Sequence, residues 1–436
     1  MCANFILNTS IIQQTTEYIN IIFKFNTKNG GGAMAVAAII TEYNPFHNGH
    51  AYQIAETRRL LGEDTKIIAI MSGNFTQRGE MAFADKTARA KAACECGVDL
   101  VLELPFPFSM SSAEHFARSG VKIANELGIV DYLVFGSESG DIEQLSCVAE
   151  NMRSDEFKSA LMKKNKELSE CGHASLVESV YRELYNKDLP SDIFSPNNIL
   201  AIEYIKALKD FSSSIIPFTI KRSGAGYNDS LLCGSSMQSA SAIRELLRKK
   251  NESAYDYIPE NAKNVFLNEV AKGYAPTDES LLDSAVISYF RLNSPKAFVD
   301  IHEADGGLYN RLCQTSITAT TISALLSMTE TKKYTKARIR RAIWNSYFGV
   351  TSSDVKELPL FTQVLAMTKS GRSLLKKAKK VNGIPCFTKP SSYKDADPRV
   401  VYQKEKSNKA DAVYDLARKK PISAAFALTF TPYVKD

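Results

Sequence analysis

His47 and His50 are the residues in this chain best placed to do chemistry, because they lie three apart at the expected start of a helix. On a helix that spacing puts both imidazoles on one face, where they can reach one group of anionic oxygens as donors in either protonation state. A helix start also offers unpaired backbone N–H groups and a partial positive charge, so the chemistry expected is phosphate handling. Gly49 between them would let a bulky ligand approach the backbone. The same pair could instead bind a metal or simply lie on the surface. A metal would want a third Cys, His or carboxylate ligand, and no spacing in the chain volunteers one.

The surrounding elements favour phosphate. Residues 35–41 read as an apolar, β-prone strand, and residues 42–46 as a turn in which Pro45 cannot continue the strand ladder. A helix then carries on through Ala51, Ile54 and Ala55. Further strands are expected at 67–71, 98–104, 132–135 and 215–220, with helical segments such as 112–127 between them. Strand and helix alternating at this spacing predict an α/β fold, a Rossmann-like doubly wound parallel sheet. Residues 72–75, Gly136 and residues 221–224 then fall at C-terminal strand ends, where such sheets bind ligands. Asn197 and Asn198 precede a helix, as capping residues do. Ser239, Ser241 and Arg244 repeat the physics of the histidine motif, with hydroxyls at a helix start and a cation one turn in. Two such anion sites in one α/β domain are harder to dismiss than one.

At 436 residues the chain can hold two or three domains. Eight cysteines without a CxxC pair or a secretory signal point to a reducing, cytoplasmic setting. No apolar run reaches the length of a membrane span, so no membrane partner is expected. Residues 1–33 are rich in Ile, Asn and Thr and end in Gly30, Gly31, Gly32 and Ala33; we expect a non-native or disordered extension ahead of a natural start at Met34. A catalytic domain is expected over 34–250, a helical one over 251–330, and a basic, mainly helical region over 331–436, with the sheet pattern stopping after Lys250. That last region holds 23 Lys and Arg against 8 Asp and Glu, a net of +15, which leaves −9 on residues 1–330 of a chain whose total is +6. Such asymmetry points to a polyanion, and Lys332, Lys333, Lys336, Arg338 and Arg341 with interleaved aromatics point to RNA. Trp344 reads as helical core.

The string from Thr41 to His50, with His47-Asn48-Gly49-His50 at its end, resembles the H-x-G-H nucleotidyltransferase superfamily and, more specifically, the bacterial tRNA(Met) cytidine acetate ligase family. The resemblance covers nearly all of the chain after Met34. It implies ATP-dependent activation of acetate to acetyl-adenylate, followed by transfer to N4 of the wobble cytidine of elongator tRNA(Met). Mg²⁺ on the polyphosphate is expected, and acetyl-CoA is not. It further implies that His47, His50 and Lys86 are catalytic. ATP contacts would come from Ile40, Thr41, Glu42, Tyr43, Asn44, Pro45, Phe46, His47, Asn48, Gly49, His50, Ala51, Tyr52 and Gln53, with Gly136, Asn197, Arg222, Ser241 and Arg244. The family has one more residue between the Ser and Pro of its S-x-P-N-N-I-L motif than this chain has at Ser195-Pro196, so the local path here is expected to depart slightly from it. Two other classes stay open: an adenylyltransferase for a small cofactor precursor, which leaves the basic tail unexplained, and a non-catalytic RNA-binding module, which leaves His47, Gly49 and His50 unexplained.

Overall fold

The structure, a computed structural model, describes residues 34–167, 172–185, 189–222, 237–389 and 391–436. The expectations for residues 1–33 and for Ser223 and Gly224 lie outside the described residues.

Strand β1 (Val36–Thr41) is buried along its whole length. Val36, Ala38 and Ile40 face one core, while Ala37 and Ile39 face another. A strand covered on both faces reads as a continuous apolar run, and that is how its sequence reads. It pairs in parallel with β2 (Lys66–Ser72), and β2 with β3 (Leu100–Leu104). On its other side β1 pairs with β4 (Tyr132–Ser137), which pairs with β5 (Ile216–Lys221), again in parallel. The strand order β5-β4-β1-β2-β3 therefore reverses direction at β1. Such a switch point opens a crevice beyond the strands' carboxyl ends. Here the opening is visible in the register: β1 and β4 pair only at Ala37↔Tyr132 and Ala38↔Leu133, and part thereafter.

Helices cover both faces of the sheet. On one side lie α1 (Asn48–Leu61), α2 (Lys86–Glu95) and the helix Ala240–Arg248, and on the other Ala113–Glu126 and Pro196–Asp210. A third core gathers the helices between Asp283 and Phe348, with Trp344 at 0% exposure inside it as expected. It also takes in Phe75, Met81, Phe106 and Met110 from loops of the sheet domain.

The sheet does not stop after Lys250. Strand β6 (Thr362–Thr368) adds to β3 antiparallel, and β7 (Cys386–Phe387) and β8 (Tyr433–Lys435) each pair with β6 in parallel. The last quarter is mainly helical, as expected, and what these strands correct is the expectation that the sheet ends at Lys250. The seven residues of β6 are a short β-prone run between helices, and their partner lies far back in the sequence, so no local pattern announces the pairing.

Candidate active site

The histidine motif is built around a cap. His47 is the N-cap of α1 with extended backbone (φ −139°, ψ 174°), and its Nδ1 accepts from the Gly49 amide at 3.0 Å. His50 Nδ1 in turn accepts from the His47 amide at 3.2 Å. This is a reciprocal capping box made with two imidazoles. Both δ nitrogens act as acceptors, so each neutral ring carries its proton on Nε2. The rings stack with centroids 3.8 Å apart. Burial, and after it the charges of Arg222 and Arg244, pushes His47 down to about 3. Burial, then His47 and Arg222, holds His50 well below its ordinary value. The pair is therefore neutral, with two fixed Nε2–H donors.

This arrangement alters two expectations. Three amides of the first turn are already engaged: Gly49 donates to His47 Nδ1, and the His50 and Ala51 amides donate to the His47 carbonyl. The two rings add Nε2–H donors of their own. Gly49 also has a different role, because a Cβ there would meet His47 Cε1 at 2.9 Å. The missing side chain makes room for the imidazole.

A cleft lies against the pair, lined by His47, Gly49, His50, Tyr52, Gln53, Gly136, Ile220, Lys221, Arg222 and Met237. It sits where β1 and β4 part. At Gly136 a Cβ would come within 3.2 Å of Arg222 Cγ, so the glycine lets the arginine stem cross the strand end. Lys221 and Met237 are lining residues that the motifs do not single out; the signal for Lys221 is its place beside Arg222 at a strand end.

The rest of the 40–53 segment builds the turn and does not line the cleft. Glu42 Oε1 accepts from the Gln77 amide at 2.9 Å, and Asn44 Oδ1 from the Phe83 amide at 2.7 Å. Tyr43 and Phe46 are buried with their rings 4.8 and 5.5 Å from that of His50. Asn48 Nδ2 donates to the Asp256 carbonyl, while Ile40, Thr41, Pro45 and Ala51 supply backbone and packing. Fully buried Arg89 donates to the carbonyls of Glu42, Ser72, Gly73 and Ala84, tying the ends of β1 and β2 together.

Other expected contacts sit beside the cleft. Asn197 Nδ2 donates to Glu138 Oε1 at 2.5 Å, joining the loop after β4 to the helix Pro196–Asp210. Ser239 caps the helix Ala240–Arg248, and Ser241 Oγ accepts from Arg244 Nη2. Arg244 also donates to the Asn44 carbonyl at 2.8 Å and to Glu80 Oε2 at 2.7 Å. Glu80 carries no signal in the sequence.

Lys86 is not brought to the imidazoles. Its Nζ lies 2.6 Å from both Glu103 Oε1 and Asp411 Oδ2, and the residue is 3% exposed. Burial disfavours its charge, but Asp411 and Glu103 more than compensate and hold its pKa above the ordinary lysine value. An ammonium so engaged lies outside the residues that line the imidazole cleft. Arg341 is buried, with its guanidinium against Glu303 Oε2 at 2.7 Å and the Gln77 carbonyl. Arg338 pairs with Asp305 at 2.6 Å and lies over the Tyr334 ring. Lys332 and Lys336 are exposed, and Lys333 is half-buried. Among the described residues, no group of three or more His, Cys, Asp or Glu side chains is placed to hold a metal ion, and no helix is long and apolar enough to cross a membrane.

Two fixed imidazole donors and a guanidinium at the switch point of a parallel sheet can bind the oxygens of a nucleotide polyphosphate. Comparison with known proteins points the same way. Residues 34–426 match the family model described as HIGH Nucleotidyl Transferase. A tRNA(Met) cytidine acetate ligase of Acetivibrio thermocellus is 36% identical over 91% of this chain and 99% of its own. One from Caldanaerobacter subterraneus is 36% identical over 88% and 96%. The crystal structure of Thermotoga maritima TmcAL bound with alpha-thio ATP superposes with a TM-score of 0.84 at 31% identity, covering 92% of this chain and all of that one.

Proposed function

Because this chain belongs to the HIGH nucleotidyl transferases, and within them to the tRNA(Met) cytidine acetate ligases, we propose the reaction it performs and the residues that carry it. It is an ATP-dependent ligase that joins acetate to ATP as acetyl-adenylate, releasing pyrophosphate. The acetyl group then passes to N4 of the wobble cytidine of elongator tRNA(Met), with AMP leaving.

In the first step an acetate oxygen attacks the α-phosphorus. The demand on the protein is to align the reactants and to stabilise charge on the phosphoryl oxygens. His47 and His50 meet it with their Nε2–H donors, and the proton on each ring stays in place throughout. Arg222 supplies a formal positive charge at the same cleft. Arg244 acts at one remove, holding the Asn44 carbonyl in the turn that leads to His47. Mg²⁺ would arrive on the phosphates of ATP and neutralise the leaving pyrophosphate. Acetyl-CoA has no part in this scheme.

The basic region supplies the RNA contact, through Lys332, Lys333, Lys336 and Arg338, in a protein that works in the cytoplasm. The observation that carries the catalytic reading is the reciprocal histidine cap, which fixes both Nε2–H donors at the switch-point cleft. Incubation with ATP, Mg²⁺, labelled acetate and tRNA(Met) should give acetylated tRNA without acetyl-CoA. Transfer of AMP to a small acceptor, or tRNA binding with no turnover, would sink it.

A further inference from the structure

We propose that a second cleft, between the helix Ala240–Arg248 and the helical region, receives the acceptor cytosine turned out of the RNA; this rests on the tRNA-acetylating reading above. The cleft measures about 520 Å³ and is lined by Glu80, Met81, Arg248, Glu279, Ile322 and Arg340 among others. That volume lies in the usual range for a small-ligand pocket.

The lining matches a pyrimidine better than a phosphate. Met81 and Ile322 are 4% and 1% exposed and give the ring an apolar floor. Carboxylates outnumber the two guanidiniums in the lining, which disfavours the RNA backbone. Cytosine offers an amino donor beside two acceptors, and enzymes that act on a base read this edge once the base has left its stack. A carboxylate such as Glu279 accepts from the amine, while Arg248 and Arg340 donate to the acceptors. Uracil would set a carbonyl oxygen against the same carboxylate.

The position fits the reaction. Glu80 accepts from Arg244 at 2.7 Å and from Arg340 at 3.0 Å. Arg244 reaches on to the Asn44 carbonyl, three residues before His47, and its charge is felt by that imidazole. Arg340 belongs to the basic helix Lys336–Phe348. One carboxylate thus joins the cleft to the histidine turn on one side and to the RNA-facing helix on the other. The contact is tight: at Gly79 (φ +78°) a Cβ would meet Arg340 Cβ at 2.8 Å and the Arg341 amide at 2.9 Å.

The test uses the full chain and a tRNA(Met) transcript carrying a photoreactive pyrimidine at the acceptor position. Crosslinks should map to the peptides that line the cleft, around residues 80–81, 248, 276–283, 321–323 and 340; crosslinks confined to other peptides overturn the proposal. In parallel, Glu279→Gln and Ser323→Trp should cut acetyl transfer by about ten- to a hundredfold while tRNA affinity is kept. Acetate-dependent exchange of pyrophosphate into ATP reports the first step separately, and it should persist. Intact exchange with unchanged transfer in both variants rejects the cleft and leaves the ligase reading standing. Absence of exchange in the unmodified protein rejects the ligase reading itself. Should a variant lose exchange along with transfer, the crosslink map on the unmodified protein decides.

Discussion

Lys86 and Asp411 are 325 residues apart in the chain, and their charged groups meet at 2.6 Å inside the protein. The ammonium at the start of α2 is shared with Glu103 at the end of β3, so one cation fastens the helix Pro398–Leu416 to the sheet. Removing one partner of a buried ion pair leaves an uncompensated charge, at a cost of about 3–5 kcal/mol. Asp411→Ala should therefore lower stability by that order in chemical denaturation, and Lys86→Met similarly. Activity lost with no loss of stability would place Lys86 in the catalytic machinery instead.

Lys404, on the same helix, is the contrasting case. It is buried, its Nζ has no hydrogen-bond partner among the described residues, and burial lowers its pKa from 10.5 to about 8. The folded chain releases this proton more readily than the unfolded chain, so stability from this group rises as pH climbs from about 8 to 10.5. Lys404→Met should be neutral or stabilising at pH 7, by about 1–3 kcal/mol, and should flatten that rise. A clear fall in melting temperature would contradict it.

The imidazoles give a pH prediction at the acid end of the scale. Because His47 is held at about 3 and His50 is also lowered, the unfolded chain takes up protons below about 6.5 that the folded chain refuses. Stability from this pair is intact at neutral pH and is lost as pH falls from about 6.5 toward 3. Ring resonances of both residues should stay in the neutral, Nε2-protonated form between about pH 5 and 8. A midpoint near 6.5 for either ring would refute the neutral-donor account.

Gly49→Ala tests the cap without touching a histidine. The added carbon would lie 2.9 Å from His47 Cε1, and the ring has to move. Misplacement of a catalytic group by about 1 Å costs on the order of 100-fold. Acetate-dependent pyrophosphate exchange should fall by that order while the far-ultraviolet spectrum and tRNA affinity are unchanged. His47→Ala should reduce exchange by about 100- to 1000-fold with tRNA binding retained. Full exchange in both variants would remove the imidazoles from the reaction.

In the basic region the cations should separate by what they already touch. Replacing Lys332, Lys333 and Lys336 with Gln should weaken tRNA binding and reduce its salt slope by about 0.7–0.9 for each phosphate no longer neutralised. Arg341→Gln should leave the slope alone and destabilise the fold, since its guanidinium is committed to Glu303. The reverse pattern would place the RNA elsewhere.

What the residues reveal on their own is whatever local pattern determines. The strand from Val36 to Thr41, the helix after His47 and the cap at Ser239 each follow from periodicity and capping chemistry within a few residues. The cleft's imidazoles, Gly136 and Arg222 follow from position at strand ends, with family resemblance adding weight. Partners set by the tertiary fold stay hidden. Nothing near Lys86 announces Asp411, nothing near Arg341 announces Glu303, and nothing near Glu80 announces its two arginines. A long cation reads as a ligand contact because sequence shows a charge and not its counter-ion.

The late strand β6 bears on how the molecule is made. Thr362 donates to the Glu103 carbonyl across 259 residues of chain, so β3 remains an uncovered sheet edge for most of synthesis. An open edge of Leu100, Val101 and Leu102 invites pairing with other nascent chains. A ribosome stalled before residue 362 would release an aggregation-prone fragment holding both imidazoles. Completion of the sheet, and with it a well-behaved enzyme, waits on translation of the basic last quarter.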